Sequence, residues 1–295
     1  GTGAAYASEA LGGKRLLLVS WYFKRSESRS LHNKGVRVSV VDVTSPRRVR
    51  YRHILLVDPI RDARGRATFK PVPVHAGGIA WVGRTLYVAD TRRGFRVFDT
   101  HRILRVSDGK KETIGRRGGR FHAFDYSYVL PQTGTYSLAP GSAKLRFSFV
   151  SVDRSTTPPS LLSGEYLKEK RSGRLARWSL APSTGLLADG RPAEVFVAGQ
   201  HRMQGALSWN GRFHIASSSQ QWRRGKNHGR LHSGNPDQQS TSQEWVYGAE
   251  DLTLTPSTGD LWSLGEYPMH RAVFAVRLPA APCQILRGLL DALPF

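Results

Sequence analysis

Apolar and polar residues alternate along this chain in short runs, separated by Gly, Pro, Asp and Ser. A period of two sends successive side chains to opposite faces of a strand, whereas a helix needs apolar residues three or four apart. Residues 16–23 (LLLVSWYF), 36–43 (VRVSVVDV) and 51–57 (YRHILLV) predict three successive strands. Residues 79–82, 85–89 and 95–98 predict three more, divided by turn segments such as Gly83-Arg84. Helical spacing is confined to the end of the chain, where QILRGLLDALPF (284–295) places Leu286, Leu289, Leu290 and Leu293 on one face. The pattern predicts an all-β protein with a short C-terminal helix packed on it.

The strands recur in units. One reads HAGGIAWVGRTLYVADTRRGFRVFD (75–99). Another reads RMQGALSWNGRFHIASSS (202–219), followed by GRLHS (229–233). A further one reads GAEDLTLTPSTGDLWSLGEYPMHRAVFAV (248–276). Each has a Gly-containing lead, a short strand, a turn, an aromatic-bearing strand, a loop and a third strand. Residues 145–153 with 173–180 fit more loosely, and residues 7–46 supply a first unit. A three- or four-stranded sheet cannot bury both faces alone, but several stacked in a ring can, around a central channel. Five units in 295 residues average 59 each, above the roughly 40–50 of a propeller blade, with the excess in loops. The expectation is a single five-bladed β-propeller over residues 1–281, with 282–295 as a tail. A six-bladed ring is the alternative, and a two-domain β-sandwich fits less well.

The stretch EDLTLTPSTGDLW (250–262) resembles the acidic-lead, TG-x-L-aromatic pattern of gluconolactonase-like and esterase-like propellers. The chain as a whole resembles secreted bacterial β-propeller proteins in its blade rhythm. That resemblance implies an extracellular protein and the fold, and it implies the activity much less, because propellers host unrelated functions.

Charge changes the picture. Lys+Arg number 44 against 22 Asp+Glu, a formal net charge of +22, and the basic residues are 34 Arg and 10 Lys. GC-rich coding turns Lys into Arg but does not produce a twofold excess over acids. The excess sits in runs at 47–52 (RRVRYR), 61–66 (RDARGR), 110–120 (KKETIGRRGGR) and 222–230 (WRRGKNHGR). Arginine forks bind carboxylate, sulfate and phosphate oxygens in pairs, so a polysaccharide or other polyanion is the expected partner. No nucleic-acid-binding signature accompanies the runs, so sequence-specific reading of DNA or RNA is not expected. No run of 18 apolar residues is present, so no transmembrane segment is expected either. One cysteine, Cys283, permits no intrachain disulfide. A monomer is expected, and the start at Gly1 rather than Met reads as a processed chain whose signal peptide is gone.

Aligning the units places His75, Gln204, Glu250 and Asp251 at the lead of their blades, beside one mouth of the ring. The loops after the second strands bring Tyr22 and Arg25, Asp90 and Arg92, Asp153 and Arg154, Trp222, and Glu266, Tyr267, His270 and Arg271. Carboxylates, cations and aromatic rings converging on a funnel suit a polar ligand, and the rings can stack on sugars. If the protein is a hydrolase of glycans or esters, Glu250 and Glu266 are the expected acid/base pair, with Asp251 and His270 beside them. A protein-interaction platform is a third reading. No G-x-S-x-G elbow or metal-ligand spacing appears, so no cofactor is expected. A weak calcium site is the most the gluconolactonase-like pattern implies, because Gly77 and Gln204 stand where it needs oxygen ligands.

Overall fold

The computed structural model describes residues 4–11, 13–23, 33–45, 47–107, 109, 112–142, 144–219, 228–235, 240–267 and 269–278. The predicted C-terminal helix over 284–295 lies outside them, as do Arg25 and Trp222. Among the described residues the chain is almost wholly strand and turn, and it forms a β-propeller.

The described strands form a 10-stranded sheet that divides into two antiparallel groups, a separate two-stranded hairpin, and three further antiparallel groups of four, four and three strands. The first contains β1 (Ala4–Leu11), β2 (Lys14–Tyr22), β3 (Val36–Asp42) and β4 (Arg50–Arg61), with β5 (Ala67–Pro71) paired to the far half of β4. The second has β6 (Ile79–Val82), β7 (Thr85–Asp90) and β8 (Gly94–Asp99). A short β9 (Leu104–Arg105), the hairpin β10 (Ile114–Arg117) and β11 (Arg120–Ala123), and the long β12 (Tyr128–Tyr136) follow. β12 ties the first two groups together: Val129–Pro131 run parallel to Leu55–Val57 of β4, and the rest runs antiparallel to β8. The third group is β13 (Phe149–Asp153), β14 (Ser160–Gly164), β15 (Arg174–Ser179) and β16 (Glu194–Val197). The fourth is β17 (Met203–Trp209), β18 (Arg212–Ser217), β19 (Gly229–Gly234) and β20 (Thr241–Trp245). The last has three strands, β21 (Ala249–Thr255), β22 (Asp260–Gly265) and β23 (Val273–Arg277).

The first strand of each group lies against its counterparts on both sides: β1 against β6 and β21, β13 against β6 and β17, and β17 against β21. That sequence of contacts closes a ring. The period of two explains the packing between groups. In β2, Leu18 faces the second group beside Ile79, Trp81 and Phe98, whereas Leu17 and Val19 face the last group beside Leu264. Tyr87, Phe95 and Val97 pack on Val150, Leu161 and Trp178 of the third group. Phe149, Leu162 and Leu175 meet Met203 and Ile215, and Leu207 and Leu231 meet Leu252 and Leu261. The inner part of each sheet thus buries both faces against neighbours, which no single sheet could do.

The glycines of the unit leads have a steric reason. A Cβ on Gly78 would lie 2.3 Å from the amide nitrogen of Val150 on β13. One on Gly205 would lie 2.7 Å from the Cα of Asp251 on β21. Inner strands approach backbone to backbone at these positions, and only glycine leaves the room. The carboxylate of Asp251 then reaches across the ring, where its Oδ2 accepts the Ile79 amide at 3.2 Å. The predicted channel is therefore filled at this level: Asp251 is fully buried.

Gly78→Ala should lower stability by about 2 kcal/mol or more, since backbone rather than a flexible side chain meets the new methyl. Urea denaturation measures this, with Gly190→Ala as a control because nothing lies within 4 Å of its added Cβ. Equal midpoints for the two variants would contradict the close-approach account.

Candidate functional site

Antiparallel pairing puts the start of each first strand and the end of each second strand at one end of the ring. Tyr22, Asp90, Gly164 and Gly265 end β2, β7, β14 and β22, so they and the residues after them share this mouth. His75, Gln204 and Glu250 stand at the lead of β6, β17 and β21, as the repeat alignment expects. Asp153 does not join them. It ends β13, a first strand, and therefore sits with Arg154 at the opposite end of the ring. The alignment slipped there because residues 145–153 are read as the second strand of their unit, whereas β13 is its first. The counterparts of Glu266 and Tyr267 in this group are Glu165 and Tyr166, which follow Gly164 as that pair follows Gly265.

Asp153 is instead a structural anchor. Its carboxylate accepts Arg177 Nε at 2.7 Å, the Ser155 amide at 2.9 Å and the Ser155 hydroxyl at 2.6 Å. Asp90 and Glu165 fasten the mouth in the same manner. Arg96 Nε meets Asp90 at 3.0 Å, and Arg174 meets Glu165 through Nε at 2.8 Å and a second nitrogen at 2.9 Å. Burial works to raise the Glu165 pKa, but the hydrogen bonds from Arg174 and the Arg146 amide outweigh it and hold the carboxyl below its ordinary value. Arg92, in the turn after Asp90, is exposed.

The chemically distinct part of the mouth surrounds β21. Ala249 pairs with Gly265 and Leu252 with Ser263, so Glu250 and Asp251 together oppose one residue, Leu264. This is a β-bulge, which bends a strand and re-aims its side chains. Gln204 lies in a corresponding irregularity of β17, and its Nε2 donates to Glu250 Oε1 at 3.3 Å. The Glu266 carboxyl lies near enough to Glu250 to disfavour a second negative charge there. Burial first, and the Glu266 charge second, raise the Glu250 pKa well above the usual carboxylate range.

Aromatic rings border the pair. Tyr267 stacks on Tyr247 with centroids 4.6 Å apart, and His270 meets the Tyr247 ring edge-on at 5.5 Å. Gly248 makes this possible: its φ is +66°, and a Cβ there would lie 2.5 Å from the Tyr267 ring. Burial and the Glu266 carboxylate push the Tyr267 hydroxyl up to about 12. Arg271 Nε donates to the Glu266 carbonyl at 2.8 Å, and its guanidinium lies 5.8 Å from the Trp21 ring centre. Tyr22 and His75 pair at 4.6 Å between the first and second groups. The structure thus brings Gln204, Glu250, Glu266, Tyr267, His270 and Arg271 together. Tyr247, which sequence reasoning missed, precedes the Gly-Ala-Glu-Asp lead and could have been found from that position. Among the described residues no three His, Cys, Asp or Glu side chains are grouped to hold a metal ion, and no helix is long and apolar enough to cross a membrane.

No protein-family model matches the chain, and no curated protein matches it either. Solved structures do. The chain is similar to an α-L-arabinofuranosidase from Clostridium thermocellum at 8% identity, covering 93% of this chain and 89% of that one with a TM-score of 0.48. It is also similar to a chain of a mitotic checkpoint complex at 10% identity, covering 88% and 68% with a TM-score of 0.35. A chain of a nidogen/laminin complex follows at 12% identity, covering 90% and 86% with a TM-score of 0.34. The propeller itself rests on the strand pairing and ring closure above.

The raised Glu250 pKa fixes the sign of a pH effect. The folded state holds this proton over a window in which the unfolded chain has lost it, so Glu250 makes stability fall as pH rises from the ordinary carboxylate range to its folded value. Glu250→Gln removes the titration while preserving an amide oxygen for Gln204. The variant should be more stable than the parent at pH 7 and show a flatter profile from pH 4 upward in thermal melts. Parallel profiles would contradict a raised Glu250 pKa.

Proposed function

We propose that this propeller binds an anionic glycan, holding its acidic groups with two basic hairpins at the outer edge of the first group. The observation that supports this reading is the meeting of two basic runs through a contact between residues 48 apart in sequence, Arg116 and Thr68. Arg116 N–H donates to Thr68 Oγ1 at 2.8 Å. Gly115, with φ +96°, rests on the Phe69 carbonyl where a Cβ would lie 2.6 Å away. Phe69 and Phe121 stack at 5.7 Å over a small core containing Leu55, Val57 and Val129. The tips 61–66 and 115–120 therefore stand side by side, with exposed Arg61, Arg64, Arg66, Arg116, Arg117 and Arg120 against a single carboxylate, Asp62.

The scaffold under these arginines is rigid. Asp62 accepts the amides of Arg64 and Arg66 at 2.9 and 3.0 Å and the Arg66 guanidinium at 2.9 Å, and Arg61 reaches the Gly65 carbonyl at 2.7 Å. Preordered guanidinium groups lose less entropy on gripping sulfate or carboxylate oxygens. The run at 47–52 lies at the other end of the 12-residue β4 and is not part of this cluster. The mouth adds chemistry that suits a sugar: the Glu250 and Glu266 carboxyls beside the stacked Tyr247 and Tyr267. An extracellular setting, where such polymers occur, belongs to the same proposal.

A hydrolase is the second reading, favoured by the Glu250–Glu266 pair. Glycoside cleavage uses carboxyls about 5–5.5 Å apart when retaining and about 6.5–9.5 Å apart when inverting. Glu250 is fully buried and already accepts from Gln204, while Glu266 is only half-buried, so the mouth supports binding better than cleavage. Incubation with glycan oligomers, resolved by mass spectrometry, favours this second reading if fragments appear and Glu266→Gln abolishes them.

Released counterions drive polyanion binding, so affinity for a heparin-like polysaccharide should fall steeply with salt. Titration calorimetry at several salt concentrations measures the slope. Replacing Arg64, Arg116, Arg117 and Arg120 by Ser should weaken binding by about tenfold or more and flatten the slope. Salt-independent binding, or an unchanged slope in the variant, would overturn the proposal.

A further inference from the structure

One face of the first sheet carries polar residues in an apolar setting. Strand register sets three rows across it: Trp21 opposite Arg37, Val19 opposite Ser39 and His53, and Leu17 opposite Val41 and Tyr51. The alternate residues Val36, Val38 and Val40 pack the other way, into the seam with the second group. Trp262 and Val273 of the last group supply a second wall, and the groove between holds about 560 Å³. That volume falls in the roughly 300–1,000 Å³ range of small-ligand sites. Val49 and Tyr51, the non-basic members of the run at 47–52, border it and are 53% and 62% exposed.

The polar groups of the groove are joined to one another. Trp21 Nε1 donates to Ser39 Oγ at 2.8 Å, and Ser39 Oγ lies 2.9 Å from His53 Nδ1. Arg37 Nη1 donates to the Tyr126 hydroxyl at 3.0 Å, and its guanidinium lies 5.6 Å from the Trp21 ring centre. Burial first, and the Arg37 charge second, hold the His53 pKa below its ordinary value, so the imidazole is neutral at pH 7. No carboxylate is among the described residues that line the groove, which leaves Arg37 as its one formal charge. Arg37 is half-buried, meets no carboxylate elsewhere among the described residues, and has its Nε buried without an acceptor. A cation withdrawn from water without a counter-charge favours an anion beside it.

We propose that this groove binds a small aromatic carboxylate, its ring among Trp21, Tyr51 and Trp262 and its carboxylate beside Arg37. The walls select against a sugar. Ser39 already serves Trp21 and His53, and the remaining lining is largely Val and Leu, so sugar hydroxyls would lose water without gaining partners. A flat apolar ring has no such groups to satisfy and gains contact with the three aromatic faces. Tyr126 and Trp21 hold the Arg37 guanidinium in place beforehand, which lowers the entropy lost on binding. The site is separate from the paired hairpins at 61–66 and 115–120 and takes a different class of ligand.

Titration calorimetry of the full chain with 2-naphthoate, and with neutral 2-naphthamide of the same shape, reads the two halves of the site separately. The carboxylate should bind at least about tenfold more tightly than the amide, as a charge-assisted contact requires. Arg37→Gln should remove that difference and leave the amide's affinity within about twofold of the parent's. Val49→Asp puts a like charge at an exposed edge position and should weaken 2-naphthoate by about threefold or more, a test that stands even if Arg37→Gln fails to fold. Replacing Arg64, Arg116, Arg117 and Arg120 by Ser should leave 2-naphthoate binding unchanged. Absence of binding, equal affinities for the two probes, or an unchanged 2-naphthoate affinity in Val49→Asp would overturn the proposal. Loss of 2-naphthoate binding in the hairpin variant would also overturn it, by assigning the carboxylate to that cluster.

Discussion

Five inner strands have to approach one axis, and backbone volume sets how closely they can do so. Gly78 and Gly205 remove the Cβ at two of these contacts, and Asp251 completes the centre by reaching across to the Ile79 amide. The rest of the molecule follows from that packing. With the inner strands fixed, each sheet presents its two faces to its neighbours at a set angle, and the period-two alternation of β2, β7, β14 and β18 becomes a series of apolar seams.

The same packing generates the chemistry of the mouth. The bulge at Glu250-Asp251 lies where β21 passes Gly205. One carboxylate goes to the axis and serves the fold, while the other meets Gln204 on the mouth side. Burial, with the Glu266 charge second, raises the Glu250 pKa above its usual range. Ligand chemistry at the mouth and architecture at the axis are thus made by adjacent residues. The basic hairpins stand apart from this economy of space. They hang on Phe69, Phe121 and Val129 at the outer edge, where extra length disturbs no seam.

Much of this was legible in the sequence, for identifiable reasons. The short apolar runs in 16–23 and 36–43 marked strands because both faces of β2 and β3 carry residues packed against other groups, and the lead glycines recurred because the close approach recurs. The mouth residues Gln204, Glu250, Glu266 and Tyr267 were reached by aligning units that share this geometry. Asp153 was misplaced because the run 145–153 reads like a second strand, whereas β13 is the first strand of its group and ends at the far side of the ring. Tyr247 and Glu165 were missed because they lie outside the repeating strand pattern and matter only through partners distant in sequence. The neighbouring of 61–66 and 115–120 depends on a single backbone-to-Thr68 contact and one ring stack, and neither has a local signature.

The account makes these paired hairpins the seat of polyanion recognition. Hydrogen exchange of the protein with and without a sulfated oligosaccharide tests this most directly. Slower exchange concentrated at residues 61–70 and 114–121 is the predicted footprint. A footprint that spares both hairpins would contradict the account.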